Sequence, residues 1–144
     1  MTFLFFLMKN LKRDGHKLLI FSMSKMILNL LEEMLNVFNA SKEGKKYNLT
    51  FTRIDGDTKP ELRESIQENF NNDPSLFACL LTTKVGGFGL NLVGADRAII
   101  LDPDWNPAND NQAVDRIYRI GQRRDCIVYR LVTKGGFEEV VYKR

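Results

Sequence analysis

In the stretch Thr82-Thr83-Lys84-Val85-Gly86-Gly87-Phe88-Gly89-Leu90-Asn91, three glycines fall within four positions, just after two hydroxyls and an ammonium group. Glycines let a backbone turn tightly and approach a ligand closely. Successive N–H groups in such a turn, or at a helix start, can hold a phosphate. Thr82, Thr83 and Lys84 would add hydroxyl and ammonium donors to the same anion. The stretch reads equally as a structural turn between a strand and a helix. It departs from the dinucleotide fingerprint, because position 92 is Leu where the third Gly should stand, and it lacks the Gly-Lys-Ser/Thr ending of a P-loop. If the stretch holds a phosphate, a polynucleotide can be its source.

A second group of residues sits on a helix expected at about 106–120. Gln112, Arg116 and Arg119 fall within an arc of roughly 60° on it, beside a core-facing arc of Ala113, Ile117 and Ile120. Arginine keeps its charge and presents a planar fork suited to phosphate oxygens, so two arginines one turn apart can meet one polyphosphate. The alternative is a solvated face paired with Asp110 and Asp115. Arg123 and Arg124 read as surface charge or as distant DNA contacts. In Asp102-Pro103-Asp104-Trp105-Asn106-Pro107 the single tryptophan reads as a packing anchor ahead of a helix that Pro107 helps to start. Cys79 and Cys126 stand 47 positions apart in apolar runs, without metal-ligand spacing, and His16 alone cannot complete a site with them. No metal site is expected. There is no Gly-x-Ser-x-Gly elbow and no His-Glu-x-x-His, so no complete catalytic site is read from this chain.

The elements that would position these groups alternate. Leu4, Leu7, Met8 and Leu11 mark a first helix that Gly15 ends, and Lys17–Ser22 is a short buried strand. Ser24 caps a second helix whose apolar face is expected to be Ile27, Leu30, Leu31, Met34, Leu35 and Phe38. Asn39–Asn48 reads as a surface loop. Strands follow at 49–54, 76–81, 97–101 and 126–132, with a helix at 59–70 broken by Asn71-Asn72-Asp73-Pro74. Near the end, Phe137, Val140 and Val141 suggest the start of a further helix. Strands alternating with helices predict an α/β fold: one three-layer domain, its parallel sheet covered on both faces. Ligands of such sheets bind outside the carboxyl ends of the strands. Those ends carry Met23-Ser24, Asp55-Gly56, Thr82-Thr83-Lys84, Asp102-Pro103-Asp104 and Thr133-Lys134.

At 144 residues, with 44% hydrophobic and 27% charged side chains, the composition is that of a folded globular domain and excludes disorder as the default. A net charge of +3 permits a nucleic-acid partner without requiring one. Phe3–Met8 is too short and lacks the basic flank of a secretion signal, and no run approaches the ~20 apolar residues of a membrane span. An intracellular protein with no membrane partner is expected.

Taken together these segments resemble the second RecA-like lobe of the Swi/Snf-type helicases, a branch of superfamily two that translocates on double-stranded DNA. Gly15–Ser22 resembles the family's fourth motif and Arg53-Ile54-Asp55-Gly56 its Arg-x-Asp-Gly element. Leu81–Leu92 is similar to the fifth motif, and Asp104-Trp105-Asn106-Pro107 with Gln112–Gln122 to the sixth and its approach. Tyr118 leans toward the subgroup resembling the Cockayne syndrome group B and excision-repair-like translocases. The resemblance implies that residues 1–144 form one helicase C-terminal lobe, truncated, without the ATP-binding first lobe. It implies arginine fingers at Arg116 and Arg119, with Gln112 near the same nucleotide, and a backbone approach to that nucleotide along Gly87, Gly89 and Asn91. It implies DNA-phosphate contacts from Thr82, Thr83 and Lys84, joined by Ser22 and Arg53. Met23 departs from the family's usual Gln. ATP with Mg would be bound mainly by the first lobe, so the lobe alone is expected to be inactive. Double-stranded DNA, the first lobe, and a nucleosome or repair complex would be partners, in the nucleus. Two other readings are a non-catalytic DNA- or partner-binding module with the same fold and, against the failed glycine fingerprint, a nicotinamide-dependent oxidoreductase.

Overall fold

The computed structural model describes residues 2–83, 91–101, 126–133 and 137–143. Helix α1 (Thr2–Arg13) leads into strand β1 (Leu18–Ser22), then α2 (Lys25–Ala40), α3 (Lys42–Tyr47) and β2 (Phe51–Ile54). Helix α4 (Pro60–Asn72), β3 (Ala78–Thr82), β4 (Arg97–Ile100), β5 (Ile127–Thr133) and β6 (Phe137–Lys143) follow. The sheet order is β2-β3-β1-β4-β5-β6. Strands β1 to β5 are parallel, and β6 runs antiparallel to β5.

Alternation along the strands splits the core in two. Leu18, Ile20, Ala78, Leu80 and Ile99 face a layer formed by Leu4, Met8 and Leu11 of α1 with Leu28, Leu31 and Leu35 of α2. Leu19, Phe21, Cys79, Leu81, Ala98 and Ile100 face the other way, toward Phe70 and Ile66 of α4. The central strands β1 and β3 are buried at every residue, as burial on both faces requires. Three layers with a parallel sheet therefore form as expected. Cys79 and Cys126 are buried free thiols.

Three expectations are corrected. The second helix starts at its Ser24 cap, which accepts the Ile27 N–H at 3.4 Å. Its fully buried stripe is Leu28, Leu31 and Leu35, which leaves Leu30 half exposed. An apolar run this dense supports two adjacent stripes, and helical periodicity alone does not say which one meets the sheet. The segment 39–48 is not a loop throughout. Ser41 caps α3 by accepting the Gly44 N–H at 3.0 Å, and Asn48 closes the helix in a left-handed conformation with φ 54°. Gly44 is required there, because a Cβ would lie 1.5 Å from the Phe38 carbonyl oxygen. Finally, Phe137, Val140 and Val141 belong to strand β6, paired from Thr133↔Phe137 to Ile127↔Lys143. Phe, Val and Tyr favour a pleated surface, and only three residues separate β5 from β6, a length that suits an antiparallel hairpin. No helix among the described residues is long and apolar enough to cross a membrane.

Candidate functional site

The parallel register brings the carboxyl ends of the strands to one edge. Ser22 pairs with Thr82, Ile54 with Leu81, and Phe21 with Ile100. The Leu101 N–H continues that alignment by donating to the Phe21 carbonyl at 2.9 Å. Strand β1 connects to β2 on one side, whereas its neighbour β4 connects to β5 on the other. Connections that diverge from adjacent strands open a crevice at the carboxyl edge, the place where ligands of open α/β sheets bind. Here it lies between Ser22 and Leu101, with Thr82 and Thr83 on its flank. The residues expected to do chemistry from beyond this edge, Lys84, Gly87, Gly89, Gln112, Arg116 and Arg119, lie outside the described residues, as do Asp102–Pro107.

The expected residues that are described divide into two kinds. Thr82 ends β3 and Thr83 follows it, both are buried, and the Thr83 hydroxyl finds no hydrogen-bond partner among the described residues. A buried hydroxyl without a partner carries a cost, which a ligand or a neighbouring loop can relieve. Asn91 resumes the chain after the glycine-rich stretch and is clamped by α4. Its N–H donates to Gln67 Oε1 at 2.8 Å and its carbonyl accepts from Asn71 Nδ2 at 2.8 Å. The same Asn71 accepts the Gly94 N–H at 2.9 Å. Gly94 comes so close that a Cβ would sit 2.8 Å from the Asn71 Cα. The far end of the candidate phosphate loop is thus bolted to a helix through two amides one turn apart.

Ser22 and Arg53 are the second kind: their polar atoms are already engaged within the lobe. Ser22 is fully buried, and its hydroxyl accepts the Ser24 N–H at 3.1 Å, fixing the turn from β1 into α2. Arg53 Nη1 donates to Asn29 Oδ1 at 2.6 Å and to Glu32 Oε2 at 2.7 Å, both on α2, while its Nε donates to Asp55 Oδ2 at 3.0 Å. Asp55 in turn accepts the Asp57 N–H at 2.8 Å, and its own N–H donates to Thr58 Oγ1 at 3.0 Å. Burial works against charge on Asp55. The Asp57 N–H, Arg53 and Lys25 outweigh it and hold the carboxyl below the usual carboxylate range. An ion pair from Lys25 to Asp57 adds a second tie between α2 and this turn. Met23, just before the Ser24 cap of this helix, is exposed.

Gln67, Asn29 and Glu32 went unnoticed in the sequence, and Asn71 was expected only to break the helix, whereas α4 runs on through Asn72. Their signal was faint: pairs of polar residues three or four apart on helices, with nothing local to say what they would hold. Among the described residues no group of three His, Cys, Asp or Glu is arranged to hold a metal.

A model of the helicase conserved C-terminal domain matches residues 3–121. The chain belongs to that family. It is 48% identical over 143 residues to the SNF2 domain-containing protein ENL1 of Oryza sativa subsp. japonica, covering 99% of this chain and 14% of that protein. It is 46% identical over 147 residues to the human DNA excision repair protein ERCC-6-like, covering 100% of this chain and 11% of that protein. Among solved structures it is similar to the C-terminal part of the Fun30 ATPase domain, with a TM-score of 0.82 and 36% identity over 91% of this chain and 40% of that one. The chain therefore spans less than a fifth of the length of the curated relatives it matches. The expected likeness to the second RecA-like lobe of Swi/Snf-type proteins, with excision-repair relatives among them, is shown by these matches.

Proposed function

We propose that this chain acts as the second lobe of an ATP-dependent translocase on double-stranded DNA, in chromatin remodelling or DNA repair within the nucleus. ATP with Mg is held mainly by a first lobe of the same parent protein, and this lobe completes the reaction centre from its carboxyl edge. Arg116 and Arg119 reach the nucleotide as arginine fingers, Gln112 contacts the same region, and the backbone at Gly87, Gly89 and Asn91 approaches it. An arginine finger contributes ~10³–10⁵ in rate, about 4–7 kcal/mol. Thr82, Thr83 and Lys84 hold phosphates of the tracked strand. Ser22 and Arg53 serve the same grip by fixing the turns beside it.

The observation that carries this reading is the sheet order within a helicase-family lobe. Strands β1, β3 and β4 are adjacent, so the turn after Ser22, the loop after Thr83 and the segment after Leu101 start from one crevice. One edge can then touch both nucleotide and DNA, which is what coupling hydrolysis to movement requires. The test is DNA-stimulated ATP hydrolysis of this chain alone, and of the intact two-lobed parent with and without Arg119→Ala. The lobe alone should be inactive, and the substitution should abolish turnover while leaving DNA affinity nearly unchanged. Robust hydrolysis by the lobe alone, or an active Arg119→Ala parent, would overturn the proposal. A nucleosome or repair complex is the expected larger partner of such a motor.

A further inference from the structure

Far from the carboxyl edge, the outer face of α2 is apolar where a solvated helix has no need to be. Ile27, Leu30, Met34 and Val37 recur at spacings of three, four and three, a coiled-coil seam displaced by one residue from the buried stripe Leu28, Leu31 and Leu35. This seam is not covered: Leu30 is 50% exposed and Val37 73%, with Met26 beside it at 79% and Phe6 of α1 at 60%. Between α1 and α2 it deepens into a groove of about 470 Å³, lined by Phe5, Met34, Val37 and Phe38 with Glu33 and Ser41 at its margins. Phe5 and Phe38 form its floor, ring centroids 5.3 Å apart. Helix α3 closes the lower end, tied to α1 by Lys9 Nζ and Glu43 Oε1 at 2.8 Å.

The charges at the two ends are opposite. Glu33 is exposed on the groove wall, and Lys42, Lys45 and Lys46 are exposed on α3 just beyond Ser41. Among the described residues none of these four is in an ion pair. Glu33 lies on α2, which ends at Ala40, and Lys42 begins α3 directly after Ser41, which also lines the groove. We propose that this groove docks an amphipathic helix of a partner protein, apolar at heptad spacing, with basic residues at its amino end against Glu33 and acidic residues at its carboxyl end against Lys42. The helix runs parallel to α2, so its macrodipole is aligned with the same charges: positive end on Glu33, negative end on the lysines.

The test uses two synthetic helices of about four turns, with leucine at every a and d position. One carries lysines in its first turn and glutamates in its last, and the other has these reversed. Binding to the full chain is read by fluorescence anisotropy. The parallel-matched peptide should bind saturably below about 1 mM, and Val37→Lys, at an exposed position, should abolish binding. In a Glu33→Lys, Lys42→Glu double variant the preference between the peptides should invert. The ratio of preferences between wild type and that variant, which cancels each peptide's own helicity, should be about tenfold. No saturable binding, or a ratio near one, overturns the proposal. A concentration-dependent dimer of the chain that Val37→Lys abolishes also overturns it, by assigning the groove to a second copy.

Discussion

Replacing Arg53 by methionine separates two roles that one guanidinium could play at the carboxyl edge. In the structure the side chain is 16% exposed and donates to Asp55, 14% exposed, to Glu32, 36% exposed, and to Asn29. The Glu32 contact is partly solvated and contributes at most about 1 kcal/mol. The Asp55 contact is better shielded, and losing it leaves the carboxylate with the Asp57 N–H, the Thr58 hydroxyl and the nearby Lys25 charge, at a cost of about 1–2 kcal/mol. With the Asn29 amide included, Arg53→Met should cost about 2–3 kcal/mol, or roughly 6–9 °C in Tm at this chain length. The pH dependence carries a sign. Asp55 titrates below its ordinary value in the folded lobe, so its contribution is present above that ordinary value and is lost as pH falls through the folded one. The difference between wild type and Arg53→Met should therefore be largest at neutral pH and shrink below about pH 4. Urea denaturation across that range measures it. In parallel, the salt dependence of binding to a short duplex should keep its slope, because donors committed to α2 and Asp55 neutralise no phosphate. A cost under about 0.5 kcal/mol together with a slope reduced by close to one would refute this reasoning and place Arg53 on the DNA.

Lys84→Ala, by contrast, should lower that salt slope by about one and leave hydrolysis by the DNA-saturated parent largely intact. Asn71→Ala removes both amide contacts to the segment after the glycine-rich stretch and should destabilise the lobe by about 2–3 kcal/mol in urea denaturation, since it strands the Gly94 N–H and the Asn91 carbonyl. Gly44→Ala, whose methyl would overlap the Phe38 carbonyl, should lower Tm by roughly 6–10 °C and reduce the far-ultraviolet helical signal. Burial pushes the Cys79 thiol far above its ordinary range, so Ellman's reagent should leave it untouched in the native lobe and label it only on unfolding.

What the sequence revealed, and what it concealed, follows from the range of the forces involved. The strands β1, β3 and β4 were legible because burial on both faces leaves uninterrupted apolar runs, and Ser24 was legible because an N-cap is a local device. The two-fold choice on α2 was not: Ile27, Leu30 and Met34 are as apolar as Leu28, Leu31 and Leu35, and only the sheet decides between them. Helix α3 was concealed by its composition, since Lys42-Glu43-Gly44-Lys45-Lys46 looks solvated and its glycine looks like a breaker. The close approach of Gly44 to Phe38 turns that glycine into a requirement. Strand β6 was misread because Phe137, Val140 and Val141 fit a helical spacing over so short a segment, whereas pairing with β5 is a long-range fact. At the candidate site, the rim itself followed from topology. The roles proposed for Arg116 and Arg119 rest on the family resemblance, since both lie outside the described residues.

The two ends of the sheet are built in opposite ways, and that asymmetry bears on how such a lobe can work. At the carboxyl edge, β1 leads to β2 on one side of the sheet and β4 to β5 on the other, so the chain departs from these adjacent strands toward opposite sides. At the opposite edge the same two strands are pinned. His16 Nδ1 lies 2.7 Å from Asp96 Oδ2, and the Asp96 and Arg97 N–H groups both donate to the Lys17 carbonyl, at 3.3 and 3.2 Å. The imidazole Nε2 faces Arg97 Nη2, which can only donate. Nδ1 therefore carries the proton and donates it to Asp96. Lys17 itself sits over the Phe70 ring and donates to the Phe70 and Asp73 carbonyls, fastening the end of α4 to the start of β1. A sheet whose central strands are fastened in this way resists shear between its halves, because packed interiors hold discrete arrangements and do not deform continuously. Under the proposed function, movement driven at the carboxyl edge would displace the lobe as one body.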